Sequence, residues 1–125
     1  MPWSSDELKA IGSADELQVS SRRGDGTLRP YVTIWVVRVG DDILVRSAHG
    51  PRNGWYRRAL RSGRGRVRAG SVERDVAFVG AAAGSTANAE VDRAYHTKYD
   101  RYGAAIVNAV VGPAVAGVTL KLEPA

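Results

Sequence analysis

The stretch ELQVSSRRGDGTLRPYVTIWVVRVGDDILVRS, residues 16–47, constrains the fold more than any other part of the chain. It holds three alternating or apolar runs, separated by Asp25-Gly26 and by Gly40-Asp41-Asp42, and such breaks between β-type runs signal hairpins. A meander of three antiparallel strands is expected. In the second run Tyr31, Thr33, Trp35, Val37 and Val39 alternate onto one face, and Val32, Ile34 and Val36 onto the other. Large apolar groups on both faces predict a central strand covered on both sides. The third strand, Ile43 to Ser47, runs into a turn at Gly50-Pro51.

After that turn, NGWYRRALRS has helical spacing. Asn53 is its expected N-cap, Tyr56 and Leu60 lie one turn apart, Arg57, Arg58 and Arg61 fall largely off that face, and Gly63 and Gly65 end it. RVRAG and SVERDVAFVG read as a further strand pair. At the start of the chain, Ser4 and Glu7 form a capping box, Trp3 and Leu8 are placed for a hydrophobic staple, and Gly12 closes the helix. Downstream, Asn88 is a candidate helix cap. Val91, Tyr95, Tyr99, Tyr102 and Ile106 then recur every three or four residues as one stripe, the pattern of core packing. Gly103 bends or breaks this helix, Gly112-Pro113 ends it, and GVTLKLEP supplies a last alternating strand.

The order helix, three strands, helix, two strands, helix, strand suits an antiparallel barrel decorated by helices. At 125 residues, 44% hydrophobic and 25% charged, the chain is expected to form one domain over residues 1–125 with a single core. No apolar run is long enough for a membrane-spanning helix, and MPWSSDELKA lacks the basic-then-apolar layout of a signal peptide, so a cytoplasmic location is expected. Cysteine is absent, which excludes disulfides and thiolate chemistry, and two distant histidines offer no transition-metal site. Redox chemistry would therefore need an organic cofactor.

Charge is concentrated. Residues 45–70 hold eight of the fifteen arginines and no acid, so the remainder of a chain of net charge +5 is net negative. That asymmetry points to an anionic partner at one place, although arginines can equally stand solvated on a surface. Ser47 and His49, two apart on a strand, suggest a nucleophile and its base, but no nucleophile elbow surrounds them. GRGRVRAG lacks both the spacing and the lysine-serine ending of a phosphate loop. The stronger candidate is geometric: a strand end at Arg46-Ser47-Ala48-His49, the Gly50-Pro51 turn, and a helix from Asn53 would aim free backbone amides at a phosphate. Arg52 would add charge-assisted hydrogen bonds, Arg57 and Arg58 a longer-range field, and Trp55 a flat surface for a ring. An ordinary loop with Trp55 in the core is the alternative.

TIWVVRVGDDILVRSAHGPRNGWYRRALRSGRGRVRAG, with the later AYHTKYDRYG and the final VTLKLEP, resembles the uncharacterised bacterial family DUF2255 over nearly the whole chain. More distantly, residues 43–60 and the tyrosine-rich helix are similar to the deazaflavin-dependent nitroreductases of the FMN-binding split-barrel superfamily. The resemblance implies an α+β fold, mostly β: a six-stranded antiparallel split barrel. It also implies a cofactor groove along the barrel and a homodimer. The cofactor would be the deazaflavin coenzyme rather than FMN, used to reduce a small organic acceptor. On this basis Arg46, Ser47 and Ala48 border the ring; Gly50, Pro51, Arg52 and Gly54 approach the phosphate; and Trp55, Arg57 and Arg58 complete the site. His49 or Tyr56 would supply the proton, and Arg22, Arg23 and Arg29 are weaker candidates for the anionic tail. The turn is shorter here than in those relatives. The alternative is a non-catalytic homodimer of the same fold that binds an anionic ligand or a protein. Nucleic acid is disfavoured because only Trp55 and Tyr56 interleave with the arginines.

Overall fold

Residues 31–39 do not form the single central strand that their alternation predicts. In the computed structural model, which describes residues 3–48, 50–80 and 87–125, the segment divides into β2 (Val32–Ile34) and β3 (Val37–Val39). These join β1 (Leu17–Ser21), β4 (Asp42–Arg46), β5 (Arg64–Ala69), β6 (Val72–Gly80) and β7 (Thr119–Pro124) in one antiparallel sheet ordered β2-β1-β5-β6-β7-β4-β3. The expected hairpin partners are present, with Leu17 opposite Ile34 on one side and Val37 opposite Leu44 on the other. The expected central strand instead supplies both edges, which makes seven strands rather than six.

This connection closes the sheet. Laid flat, strands spaced about 4.8 Å apart would hold the two edges about 29 Å from each other, whereas three Cα steps from Ile34 to Val37 span about 11 Å at most. The sheet must curl until one extended segment can leave β1 and join β4. Val36 is freed from the ladder at the crossing, and α3 (Ala87–Tyr99) supplies its partners. Its N–H donates to the Tyr99 hydroxyl at 3.1 Å, and its carbonyl accepts from Lys98 Nζ at 2.7 Å. The Tyr99 hydroxyl donates in turn to the Asp15 carbonyl at 2.7 Å, and the Trp35 indole stacks on the Tyr99 ring with centroids 4.0 Å apart.

Two tyrosines one turn apart should therefore respond differently to loss of the hydroxyl. Tyr99→Phe leaves a buried amide without its acceptor and is expected to cost about 1–3 kcal/mol. The Tyr95 hydroxyl is buried without a hydrogen-bond partner among the described residues, so Tyr95→Phe is expected to be neutral or slightly stabilising. Urea unfolding at unchanged m-value checks both.

Burial lowers the Lys98 ammonium to about 8 and raises the Tyr99 phenol to about 12. From about pH 8 to 10 the folded chain has released a proton that an unfolded lysine still holds, so stability is expected to rise with pH. Above about pH 10 unfolded tyrosines ionise while Tyr99 stays protonated, and stability should fall. Lys98→Met is expected to flatten the rising limb in urea midpoints measured across that interval.

The barrel interior is filled by Leu17, Val19, Ile43, Val45, Val67, Leu120 and Leu122, all buried. The first helix, α1 (Ser5–Ser13), is fixed by the predicted capping box, with Glu7 N–H to Ser4 Oγ at 3.1 Å and Ser4 N–H to Glu7 Oε1 at 2.9 Å. Trp3 and Leu8 are both buried, and the Trp3 indole donates to the Leu122 carbonyl at 3.0 Å. Gly12 does not end this helix. It lies under the Arg38 side chain, 3.2 Å from where a Cβ would sit. Gly65 lies within β5 rather than ending a helix, and a Cβ there would approach the Ser20 carbonyl to 2.1 Å, so β1 and β5 can pair only around a glycine.

The helix α2 (Gly54–Ser62) buries Trp55, Tyr56 and Ala59, whereas Leu60 is 51% exposed. The predicted tyrosine stripe holds for Val91, Tyr95 and Tyr99, which pack α3 against Val37 and Leu44 on the outside of the barrel. Asn88 lies inside the first turn of α3 rather than capping it. At Gly103, φ +107° breaks the helical path, and Tyr102 and Ile106 are exposed. The chain continues through short helical turns at Asp100–Tyr102, α4 (Ala104–Val107), Asn108–Val110 and α5 (Pro113–Ala116) into β7. Among the described residues no helix is long and apolar enough to cross a membrane.

Candidate functional site

The turn that follows β4 is knitted by its own polar groups. Gly50, at φ +109°, donates its N–H to the Ser47 carbonyl at 3.2 Å, and the Ser47 hydroxyl donates to the Gly50 carbonyl. Asn53 Nδ2 donates to the Ala48 carbonyl at 2.7 Å and to Ser47 Oγ at 3.1 Å. Two expectations change as a result. The Gly50 amide is engaged within the turn rather than free for a phosphate, and Ser47 is a buried clasp rather than a group bordering a ring. His49 lies outside the described residues.

Because its side chain holds the turn, Asn53 makes no side-chain cap on α2. The first helical bond runs from Arg57 N–H to the Asn53 carbonyl at 3.1 Å, so the N–H groups of Gly54, Trp55 and Tyr56 precede the helical ladder. Pro51, Arg52, Gly54 and Arg57 are exposed at this end of α2. Arg58 folds back over it: a Cβ on Gly54 would sit 2.7 Å from Arg58 Nη1.

Arg46, expected beside a ligand, does border a groove, yet its side chain is fully buried and its guanidinium is committed to the protein. Nε donates to Thr119 Oγ1 at 2.8 Å, Nη1 to the Val110 carbonyl at 3.0 Å and to Asp92 Oδ1, and Nη2 to the Asn88 carbonyl at 3.3 Å. Asp92 also accepts from the Gly112 amide at 3.2 Å. Arg46 thus ties β4 to β7, α3 and the segment after Gly103, and these are the parts that build the wall beside it.

That wall bounds a groove of about 560 Å³. Val32, Ile34 and Trp35 form one side, Ala48, Asn53 and Trp55 the side nearest α2, and Ala105, Ile106, Ala109 and Val110 the third. Its surface is mostly apolar, with Thr33, Asn53 and Arg46 as the polar members. Trp55 is 8% exposed and packs edge-on against Tyr56 at 6.0 Å, so it belongs to the core and reaches the groove at its margin. Tyr56, expected as a proton donor, lies in the core behind Trp55 and does not line the groove. Burial raises its phenol above the usual tyrosine range, so it stays protonated at neutral pH.

Sequence reasoning missed Trp35 and the 105–110 wall. The small apolar run AAIVNAVVG after Gly103 was the available signal, but nothing local to it says which strand it faces. Arg22, Arg23 and Arg29, expected at a cofactor tail, are brought together, but around a separate recess with Arg58, Arg61 and Arg64. A shallow trough of about 680 Å³ between α1, β3 and α3 contains none of the expected site residues.

The fold is that of the FMN-binding split-barrel proteins. A heme storage protein of Vibrio cholerae superposes with a TM-score of 0.65 at 11% identity, covering 100% of this chain and 92% of that one. An FAD-binding protein of Mesorhizobium loti gives 0.59 at 14% identity, covering 100% and 92%. An F420 reductase gives 0.58 at 13% identity, covering 100% and 96%. No curated protein matches the chain by sequence. The model of DUF2255, a family described as uncharacterized protein conserved in bacteria, matches residues 7–122, and the chain belongs to that family.

Proposed function

We propose that the groove binds an isoalloxazine-type cofactor, deazaflavin in preference to FMN, and that the protein is a reductase acting on a small organic acceptor. One observation carries this reading: the apolar groove ends at an uncapped helix N-terminus over which an arginine is folded. A helix N-terminus is the positive end of the dipole, so Arg52, Arg57 and Arg58 crowd positive charge onto positive charge there. No ion pair relieves these three arginines among the described residues. A phosphate would relieve all of it at once. The groove volume also falls within the roughly 300–1,000 Å³ of small-molecule sites.

When bound, such a cofactor supplies the hydride. The chain would supply orientation and charge. Trp35, Ile34 and Val110 offer flat and branched apolar surface to exclude water from a ring, and Ala105 and Ala109 leave it room. Arg52 and the Gly54 amide would hold the phosphate, with Arg57 and Arg58 adding to the field. Delivery of the proton that follows hydride transfer is assigned to His49, the sequence neighbour of groove-lining Ala48.

Titration with the deazaflavin coenzyme and with FMN, followed by tryptophan fluorescence, tests the reading. Saturable quenching that is tighter for the deazaflavin is expected, and its absence with both cofactors would refute it. A homodimer is proposed on separate grounds: Tyr102 and Ile106 are large and exposed, and Tyr102 stacks at 5.8 Å on Trp35, which lines the groove with Ile106, so the two share one side of the molecule. A second copy there would narrow the groove. A non-catalytic dimer holding an anionic ligand is the second reading, and light scattering on the purified chain measures the mass that both share.

A further inference from the structure

We infer that the chain carries a second ligand site, for a compact polyphosphate, at the end of α2 opposite the groove. Arg22, Arg23, Arg29, Arg58, Arg61 and Arg64 line a recess of about 250 Å³, together with Gly24 and Ser62. The arginines come from three places in the sequence: the loop after β1, the later turns of α2, and the first residue of β5. Antiparallel pairing of β1 with β5 and the packing of α2 on β1 converge them.

Their charges are unequally compensated. Arg22 pairs with Asp75 at 3.0 Å, and Asp75 is shared with Arg66 at 2.9 Å. Arg23 donates to the Leu28 carbonyl at 3.0 Å, with the exposed Asp25 in the same loop, although that carboxylate is bonded to Thr27 at 2.7 Å. Arg29, Arg58, Arg61 and Arg64 have no ion pair among the described residues. The undescribed residues, 1–2, 49 and 81–86, include no Asp or Glu, so the sequence holds no further acidic side chain to neutralise them.

The ligand class follows from this arrangement. Four uncompensated guanidinium groups around one small recess repel one another, and a single ligand that carries several negative charges at short spacing removes that repulsion. Guanidinium forks pair with phosphate through two parallel hydrogen bonds. The recess lies toward the C-terminal end of α2, where the helix dipole offers an anion nothing, so the side chains alone must hold it. Arg61 and Ser62 stand at the end of the nine-residue α2 opposite the groove, while Arg58 reaches back over Gly54 and borders both sites. A short run of linked phosphates, inorganic or borne by a nucleoside, has the required density of charge. This site does not rest on the proposed cofactor.

Calorimetric titration of the full chain with sodium tripolyphosphate at low salt tests it. One saturable site is expected, weakened about tenfold or more by Arg61→Gln with Arg64→Gln, and weakened steeply by added salt. Arg29→Gln serves as an independent variant from another element. Ala109→Trp, which fills the groove, should leave tripolyphosphate binding unchanged, so failure of the cofactor reading and failure of this one are separable. Equal affinity for a nucleoside triphosphate assigns recognition to the phosphates alone, and tighter binding assigns a nucleotide; both support the site. No saturable heat, equal binding by the arginine variants, or tighter binding of triglutamate than of tripolyphosphate would overturn it.

Discussion

Asp92→Asn is expected to destabilise the protein by about 3–5 kcal/mol, the largest effect of any single polar substitution considered, because it strips the counterion from a guanidinium that is fully buried. Arg46→Met should cost less. Asp92 is 33% exposed on its side chain and can be rehydrated when its partner is lost, whereas Arg46 cannot. The carbonyls of Val110 and Asn88 would also lose a donor, so the damage should spread to the wall of the groove. Arg46→Met combined with Asp92→Leu is expected to recover much of the loss, since removing both charges removes the desolvation cost as well. Urea midpoints for the unsubstituted chain, Arg46→Met, Asp92→Leu and the double variant form a double-mutant cycle, and additivity within it would contradict the picture of a strut.

Ala109→Trp is expected to weaken cofactor binding by at least about 100-fold, equivalent to about 2.8 kcal/mol, while leaving the fold intact. Ala109 is half-buried in the groove wall, and an indole there would occupy the space assigned to the ring. Ala105→Trp provides a second route from an exposed position on the same wall, with less strain on the core. Fluorescence titration reads the affinity, and thermal unfolding checks that neither variant has lost its packing. Retained affinity in both variants would remove the groove as the site.

Much of the site was legible in part. Asn53 was correctly placed at the start of α2, yet its amide is turned so that Nδ2 donates to the Ser47 hydroxyl and the Ala48 carbonyl of the preceding turn, and Oδ1, the atom that would accept from the helix, makes no cap. The arginines between residues 45 and 70 have no acid within that stretch, but acids elsewhere in the chain pair with Arg46, Arg66 and Arg68, and the eight do not share one fate. Arg46 became a buried strut, Arg52 and Arg57 stand at the positive end of a helix, and Arg61 and Arg64 face a recess with arginines about forty residues earlier. Arginine carries both a long apolar stem and a charged fork, so its type alone does not choose between core and surface.

What the sequence determined by itself is local: the capping box at Ser4 and Glu7, the hairpins around Gly26 and Gly40, the helical break at Gly103, and the alternation that marks residues 31–39 as extended. Each depends on groups within a few residues of one another, whose geometry the backbone fixes. The tertiary structure alone decided that the extended segment would change partners at Trp35-Val36, that Tyr99 and Lys98 would satisfy the amide and carbonyl exposed there, and that a groove would open beside Ala109. Those outcomes depend on partners more than sixty residues away, and alternation records that a strand is buried on two faces without recording what buries it.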